Sequence, residues 1–417
     1  MHPFENILTK AILNCRSQST KPSAPPQKMK KEQSTEKFQS GKVTLVAASH
    51  MLHDIYSSFL APLRPLLIEK FGLTLALASL WDLIMRVPWF LNPFIGVLAE
   101  RTAPRYFIIL TPAITATVMS LLGVAPSYTI ICILLFTMGI SSAFFHVPAP
   151  TMVKRLSGPK TGRGMSYYMF GGELARTAGP LIITASVSWW GLEGTWKLIP
   201  FGIIASFILY LRLKNIKIAD EIKHKEKGKR QEFSSLKKYI PFFSVLIGFT
   251  IFRAIMKSGL TAFLPTFYYS ERGESLWFAN SALAVFQLAG AVGTILSGSI
   301  SDRIGRRSTL LIISIVSPVM MFLFINATGW LSFVFLIILG FFVFAPGPVL
   351  IALVQDRSKE FPVFMNSIYM TVSFVSSATA VFFAGAMGDW LGLEKTYLIS
   401  SILALGGIPF VLWLKKK

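Results

Sequence analysis

Charge is scarce and one-sided in this chain: 15% of its 417 residues are Asp, Glu, Lys or Arg, and Lys and Arg outnumber Asp and Glu by 41 to 20. So little charge does not cover the surface of a soluble domain of this length. Cysteine is nearly missing. Cys15 and Cys132 supply neither a disulfide framework nor a metal cluster. Nucleophile elbow, phosphate-binding loop, HExxH zinc motif and ATP-binding domain are all wanting, so the sequence predicts no enzyme, no metal and no cofactor. A secretory signal is not evident either, because the first apolar cluster, Ile7 to Leu13, is broken by Lys10. The net charge of +21 raises nucleic-acid binding, but the basic residues sit in short connections rather than on one amphipathic face, so no nucleic-acid partner is expected.

What the chain has in abundance is apolar sequence: 53% of residues, with a mean hydropathy of +0.57. Apolar stretches of about 20 residues recur from Val43 onward, each long enough to cross roughly 30 Å of hydrocarbon as a helix. They lack the alternating polarity of a β-barrel. The reading is twelve spans, at about 43–68, 74–99, 106–125, 128–149, 164–189, 194–212, 240–268, 277–300, 308–327, 330–353, 362–387 and 393–413. Connections after the even-numbered spans carry Arg101 and Arg105, then Lys154, Arg155, Lys160 and Arg163, then the Lys-rich 212–238 loop, then Arg303, Arg306 and Arg307, then Arg357 and Lys359. The alternate connections hold little beyond Lys70, Arg272 and Lys395. The positive-inside bias therefore puts both termini in the cytoplasm.

Residues 1–41, rich in Lys, Ser, Gln and Pro, read as a disordered cytoplasmic tail. The first 18 residues also suit a short amphipathic helix or an organellar presequence; Glu5 and the bacterial cast of the remainder favour the tail. A weak repeat offset by about 200 residues pairs Gly96–Arg105 (GVLAERTAPR) with Gly298–Arg307 (GSISDRIGRR), and Pro148-Ala149-Pro150 with Pro346-Gly347-Pro348. The expected organisation is an N-terminal six-helix bundle at 42–212, a basic cytoplasmic linker at 213–238 and a C-terminal bundle at 239–417. The fold class is thus all-α integral membrane, two pseudo-symmetric bundles of six helices. The Pro-x-Pro pairs should bend or end their helices, as gate hinges or as plain terminators.

The segment with Gly298, Asp302, Arg303, Gly305, Arg306 and Arg307 resembles the loop signature of the major facilitator superfamily, and the copy with Gly96, Glu100 and Arg101 is a degenerate version, with Ala103 and Pro104 where Gly and Arg are usual. That resemblance implies a gating role for the motif at the cytoplasmic mouth. His53-Asp54-Ile55-Tyr56, Ala143-Phe144-Phe145-His146 before Pro148, and Gly164-Met165-Ser166 leading to Gly171-Gly172-Glu173 and Gly179-Pro180 are similar to the fosmidomycin-resistance branch of that superfamily. The likeness to the branch covers nearly the whole first half; the second half matches at the level of the superfamily. The branch implies proton-linked export, as an antiporter, of a small and often anionic drug or metabolite.

Independently of any family, charged groups inside apolar spans need a partner or a purpose. Span one holds His50, His53 and Asp54, with Arg64 farther along; Asp82 and Arg86 are four apart in span two, Glu173 and Arg176 three apart in span five, Arg253 and Lys257 four apart in span seven. Such spacings put each pair on one helix face, so the first two pairs are either self-neutralising or functional. Arg253 and Lys257 have no acid on their own helix. They are expected, with Arg86, Arg176 and His146, to bind a carboxylate, phosphate or phosphonate; salt bridges to Asp54 or Glu173 are the plainer alternative. Asp54 and Glu173 are the candidate proton carriers, with His53 as a relay. His146 is equally a candidate core histidine.

The sequence therefore predicts a multi-pass protein of a bacterial inner membrane that acts as a monomer and exchanges a small anionic substrate for protons. Two other readings stay open: an importer or uniporter of a small anionic metabolite, and a membrane sensor or scaffold that transports nothing.

Overall fold

A computed structural model describes residues 38–92, 95, 104–214, 239–357 and 362–414. The tail, most of the linker, the closing lysines and the first loop motif with Gly96, Glu100 and Arg101 lie outside these residues. In chain order the α-helices are α1 (Ser40–Ser57), α2 (Leu60–Phe71), α3 (Leu75–Arg86), α4 (Pro104–Ser120), α5 (Tyr128–His146), α6 (Ala149–Ser157), α7 (Thr161–Trp190) and α8 (Ile199–Leu213) in the first half. The second half holds α9 (Ile240–Thr266), α10 (Leu276–Ile304), α11 (Arg306–Asn326), α12 (Trp330–Phe344), α13 (Pro346–Arg357), α14 (Pro362–Leu391), α15 (Leu393–Leu405) and α16 (Ile408–Trp413). The fold is all-α, two six-span bundles.

Eight helical stretches among the described residues are long and apolar enough to cross a membrane; the longest, Tyr128–Trp190, contains two of the spans read from sequence. The stretch Arg105–Ser120 is apolar but shorter. Span two is described only in part, and span one falls short of that measure for a chemical reason. Span one carries His50, His53, Asp54 and Arg64 within a few turns, and it breaks between Ser57 and Leu60.

Prolines set several other breaks. Span four stops at His146 and restarts as α6 with Pro148 at its N-cap, and span ten stops at Phe344 and restarts as α13 with Pro346 as its first residue. A proline has no amide to give the preceding turn, so each Pro-x-Pro ends one helix and begins the next, as the expected bend or end at these pairs requires. The equivalent position of the two breaks matches the repeat.

The apolar core is split in each half. One cluster of the first half gathers Phe59, Leu63, Trp81, Leu122 and Leu135, and another, nearer the basic loops, gathers Val46, Ile108, Phe145, Met152 and Leu213. The second half repeats this with Phe263, Phe286, Phe324 and Tyr397 in one cluster and Phe243, Leu246, Leu350 and Tyr369 in the other. Between the paired clusters lies a layer of polar side chains. The small residues of α7 bring it close to α1: a Cβ on Gly171 would stand 2.5 Å from the Ala47 carbonyl oxygen, and one on Gly172 would stand 2.6 Å from Cε1 of His50.

Hydrogen bonds that join the halves gather at the end away from the basic loops. Asn280 Nδ2 donates to Thr184 Oγ1 (2.8 Å), Trp277 Nε1 donates to Ser188 Oγ (2.7 Å), and the Leu75 and Ala76 amides donate to the two oxygens of Asp389. In the second-half loop motif Gly305 turns the chain at φ +89°, a backbone only glycine adopts without strain. Arg306 there pairs with Asp302 (2.6 Å) and lies 3.5 Å from Asp356 at the end of α13, tying three spans of that half together. Gly298 has open space around it, so it is not a site of close helix contact.

Candidate functional site

The intramembrane charges sort into three groups. The first is a plain structural pair. Asp82 accepts from Arg64, a fully buried guanidinium on α2 that also lies over the Phe263 ring (4.7 Å) of the second half. The pairing of Asp82 with Arg86 expected from their spacing is therefore corrected. Residues four apart share a helix face, but Arg64 approaches that face from the neighbouring helix and takes the carboxylate. Arg86 stays within electrostatic reach of both, half-buried in the polar layer.

The second group surrounds Asp54. His53 Nδ1 lies 3.0 Å from its Oδ1, His146 Nε2 3.3 Å from the same oxygen, and His50 Nε2 3.2 Å from Oδ2. Three of the chain's five histidines thus converge on one carboxylate. Helical spacing explains part of this: His50 and Asp54 are four apart on α1, so they meet on one face. Tyr168 of α7 contributes the rest. Its backbone carbonyl accepts from His50 Nδ1 (2.7 Å), and its hydroxyl lies 3.3 Å from His146 Nδ1. The rings are packed as well, His53 stacked on Phe145 at 4.6 Å and His50 on Tyr168 at 3.9 Å.

The protonation of His50 follows from its partners. A carbonyl oxygen only accepts, so Nδ1 carries the hydrogen, and Nε2 then faces a carboxylate that also accepts. Two bare acceptors at 3.2 Å repel, so a proton must sit on His50 Nε2 or on Asp54. The pair therefore holds one exchangeable proton. Access to it exists, since the side chains of Asp54 and His146 are 14% and 24% exposed, whereas His53 is fully enclosed and its Nε2 has no hydrogen-bond partner.

The third group is cationic and bridges the halves. Arg176 on α7 pairs with Glu173 (2.5 Å), as its spacing predicts, yet keeps a 39% exposed side chain. Lys257 on α9 lies within electrostatic reach of Arg253, Arg176, Arg86 and Glu173, with its ammonium 4.8 Å from the Phe344 ring centre. Arg253 donates from Nη2 to the Val343 carbonyl (2.8 Å) beside Phe249. Neither Arg253 nor Lys257 has a carboxylate at salt-bridge distance among the described residues, so the plainer alternative of bridges to Asp54 or Glu173 is not what the structure has. Both line a cleft closed by Ile313, Ser317, Val343 and Pro346. Arg86, Arg176, Arg253 and Lys257 thus come together, whereas His146 joins the Asp54 cluster instead.

His50 was named from sequence without a role, and two further residues of this region, Tyr168 and Trp89, were not singled out. His50 was legible in its spacing from Asp54. Tyr168 contributes a backbone carbonyl, which no side-chain pattern marks. Trp89 packs at a tilt against Phe374 of α14, with ring centres 4.7 Å apart, and lies 5.9 Å from His146, bridging the halves beside the site.

A family model described as Major Facilitator Superfamily matches residues 46–381 and, in a second match, 278–417. The fosmidomycin resistance protein of Escherichia coli (strain K12) is 21% identical over 375 residues, spanning 88% of this chain and 91% of that protein. An uncharacterized MFS-type transporter of Bacillus subtilis (strain 168), YfnC, is 24% identical over 371 residues, spanning 87% and 90%. Among solved structures, a bacterial homologue of the human lysosomal transporter Spinster, inward-facing and unoccupied, superposes with a TM-score of 0.72 at 16% identity over 90% of this chain and 96% of that one. A D-xylose–proton symporter superposes at 0.71 with 15% identity, over 90% and 98%.

Proposed function

We propose, from the premise that the chain belongs to the Major Facilitator Superfamily, that this membrane transporter exports a small organic anion in exchange for protons. The observation that carries the anion is the convergence of Arg86, Arg176, Arg253 and Lys257 from three spans on a polar layer where Glu173 is the one acid paired to any of them among the described residues. Excess positive charge in a low-dielectric bundle costs free energy unless a counter-charge enters. Guanidinium groups present forked donors that suit carboxylate, phosphate or phosphonate oxygens, and Lys257 adds a point charge.

Proton coupling is assigned to Asp54 and His50, with His53 and His146 as neighbours that stabilise the charged carboxylate, and with Glu173 as the acid nearest the anion. Substrate and proton groups share the middle of the bundle, and both border α7: it supplies Tyr168 to one group and Glu173 and Arg176 to the other. A shift of α7 therefore moves both, which is the mechanical requirement for exchange. The positive-inside bias of the loops assigns the hydrogen-bonded end at Asp389 to the outside, so the conformation is one closed outward. The similarity to a fosmidomycin resistance protein supports a phosphonate-type drug as cargo.

The test is transport by the purified protein in liposomes under an imposed pH gradient, against a panel of carboxylates, phosphates and phosphonates. Gradient-driven flux of an anion, lost on Arg253→Gln, is the expected result. Counterflow indifferent to the gradient overturns proton exchange, and anion transport unaltered by Arg253→Gln removes that residue from the site.

A further inference from the structure

The cluster around Asp54 has more donor capacity than a proton relay uses. One ligand atom from each of His50, Asp54 and His146 lies within 4.8 Å of the other two, with His50 Nε2 3.2 Å from Oδ2 of Asp54 and His146 Nε2 3.3 Å from Oδ1. Ligands about 2.0–2.1 Å from a zinc-like ion in tetrahedral array are separated by roughly 3.3 Å. With Oδ2 of Asp54 as the ligand, the edge to His50 is therefore already set, and closing the other two needs rotation of the partly exposed His146 ring toward that oxygen.

The groups behind the ligands have the arrangement that metal-binding imidazoles require. A ligating histidine donates its remote N–H to a carbonyl, carboxylate or hydroxyl, which fixes the tautomer and directs the other nitrogen at the ion. His50 Nδ1 donates to the Tyr168 carbonyl at 2.7 Å, and His146 Nδ1 lies at 3.3 Å from the Tyr168 hydroxyl. One residue thus orients both imidazoles. His53 Nδ1 donates to Asp54 Oδ1 and orients the carboxylate in the same way, while its enclosed Nε2 is left without a partner. Two nitrogens and one oxygen, with one position open toward the central space through Asp54 and His146, is a donor set for Zn²⁺, Co²⁺ or Ni²⁺ rather than Mg²⁺ or Ca²⁺.

We propose that His50, Asp54 and His146 bind one divalent transition-metal ion of this class, which takes the place of the proton held between His50 and Asp54. Binding releases that proton and fills the coupling site, so the ion acts on transport as a competitor of protons. The proposal rests on the geometry of the cluster and not on the cargo or direction of transport; failure to bind metal leaves the proton-exchange reading standing.

The experiment is titration of Co²⁺ into the purified full-length protein in detergent, with the affinity tag removed, followed by visible absorption, elemental analysis and proton release into weak buffer. The expected result is one Co²⁺ per chain with the intense d–d bands of a four- or five-coordinate site, proton release on binding, and displacement by Zn²⁺. His50→Gln and His146→Gln should each abolish the bands, and Tyr168→Phe, which keeps the carbonyl and removes the hydroxyl, should weaken binding about 10–100-fold. His146→Gln is the safeguard against misfolding, because that side chain is partly exposed and packs at the edge of the cluster. No saturable Co²⁺ binding by the folded wild-type protein, or bands that persist in both histidine variants, overturns the proposal.

Discussion

Asp389, at the end of α14, accepts hydrogen bonds from the backbone amides of Leu75 at 2.6 Å and its neighbour Ala76 at 2.8 Å, the first two residues of α3 in the other half. Thr74, the N-cap of α3, takes the next amide, that of Leu77. A helix start whose orphan amides and positive dipole end are answered from the opposite bundle is a latch between halves. Charge-assisted bonds of this kind contribute about 1.5–3 kcal/mol. Asp389→Asn should shift the population away from the conformation closed at this end by roughly tenfold. Distances between spin labels placed on α3 and α14 read that shift; an unchanged distribution refutes the latch.

Asp54→Asn should abolish transport driven by a pH gradient while leaving substrate binding and counterflow within about threefold of wild type, because the amide cannot exchange the proton held with His50. The measurement is paired flux and counterflow in the same liposome preparation. Retained gradient-driven flux at the wild-type rate assigns coupling elsewhere, with Glu173→Gln as the next variant.

Gly172→Ala adds a methyl group 2.6 Å from the His50 ring. The ring must turn or α7 must move off α1, an overpacking cost of about 1–3 kcal/mol. Lowered thermal stability together with weakened proton coupling is expected from this one-carbon change. An Ala variant that melts and transports like wild type would show that the ring has room.

Arg64→Met should cost about 3–5 kcal/mol, since it strands Asp82 as an uncompensated buried charge, whereas Arg64→Met with Asp82→Leu should recover most of the loss. Denaturant unfolding of the single and double variants makes the comparison. A double variant no more stable than the single would mean that packing on Phe263, not charge pairing, is what Arg64 supplies.

How far the sequence could be read depended on whether the information was local. Spans were legible because lipid demands about 20 apolar residues in a row, and the second loop motif because Gly305 and Asp302 have fixed local tasks. Glu173 with Arg176 followed from spacing alone. Asp82 did not: Arg64 is 18 residues away on another helix, and a helical wheel shows only what is on the same helix. The placement of His146 beside Asp54 likewise depends on how α5 meets α1, which is a matter of tertiary packing. The helix breaks at Pro148 and Pro346 were visible as prolines, and span ten was read through to 353, but the continuation of span four as Ala149–Ser157 was not legible.

The buried Arg64–Asp82 pair also constrains how the chain enters a bilayer. Each of these charges, placed at the centre of a solitary helix, costs roughly 2.5–3.5 kcal/mol to insert. The opening span therefore settles in lipid poorly by itself and gains a neutralising neighbour only when the next one arrives. Biogenesis of this protein should then proceed with the first two segments leaving the translocon together as a hairpin, and truncating nascent chains between them should leave the leading segment loosely held.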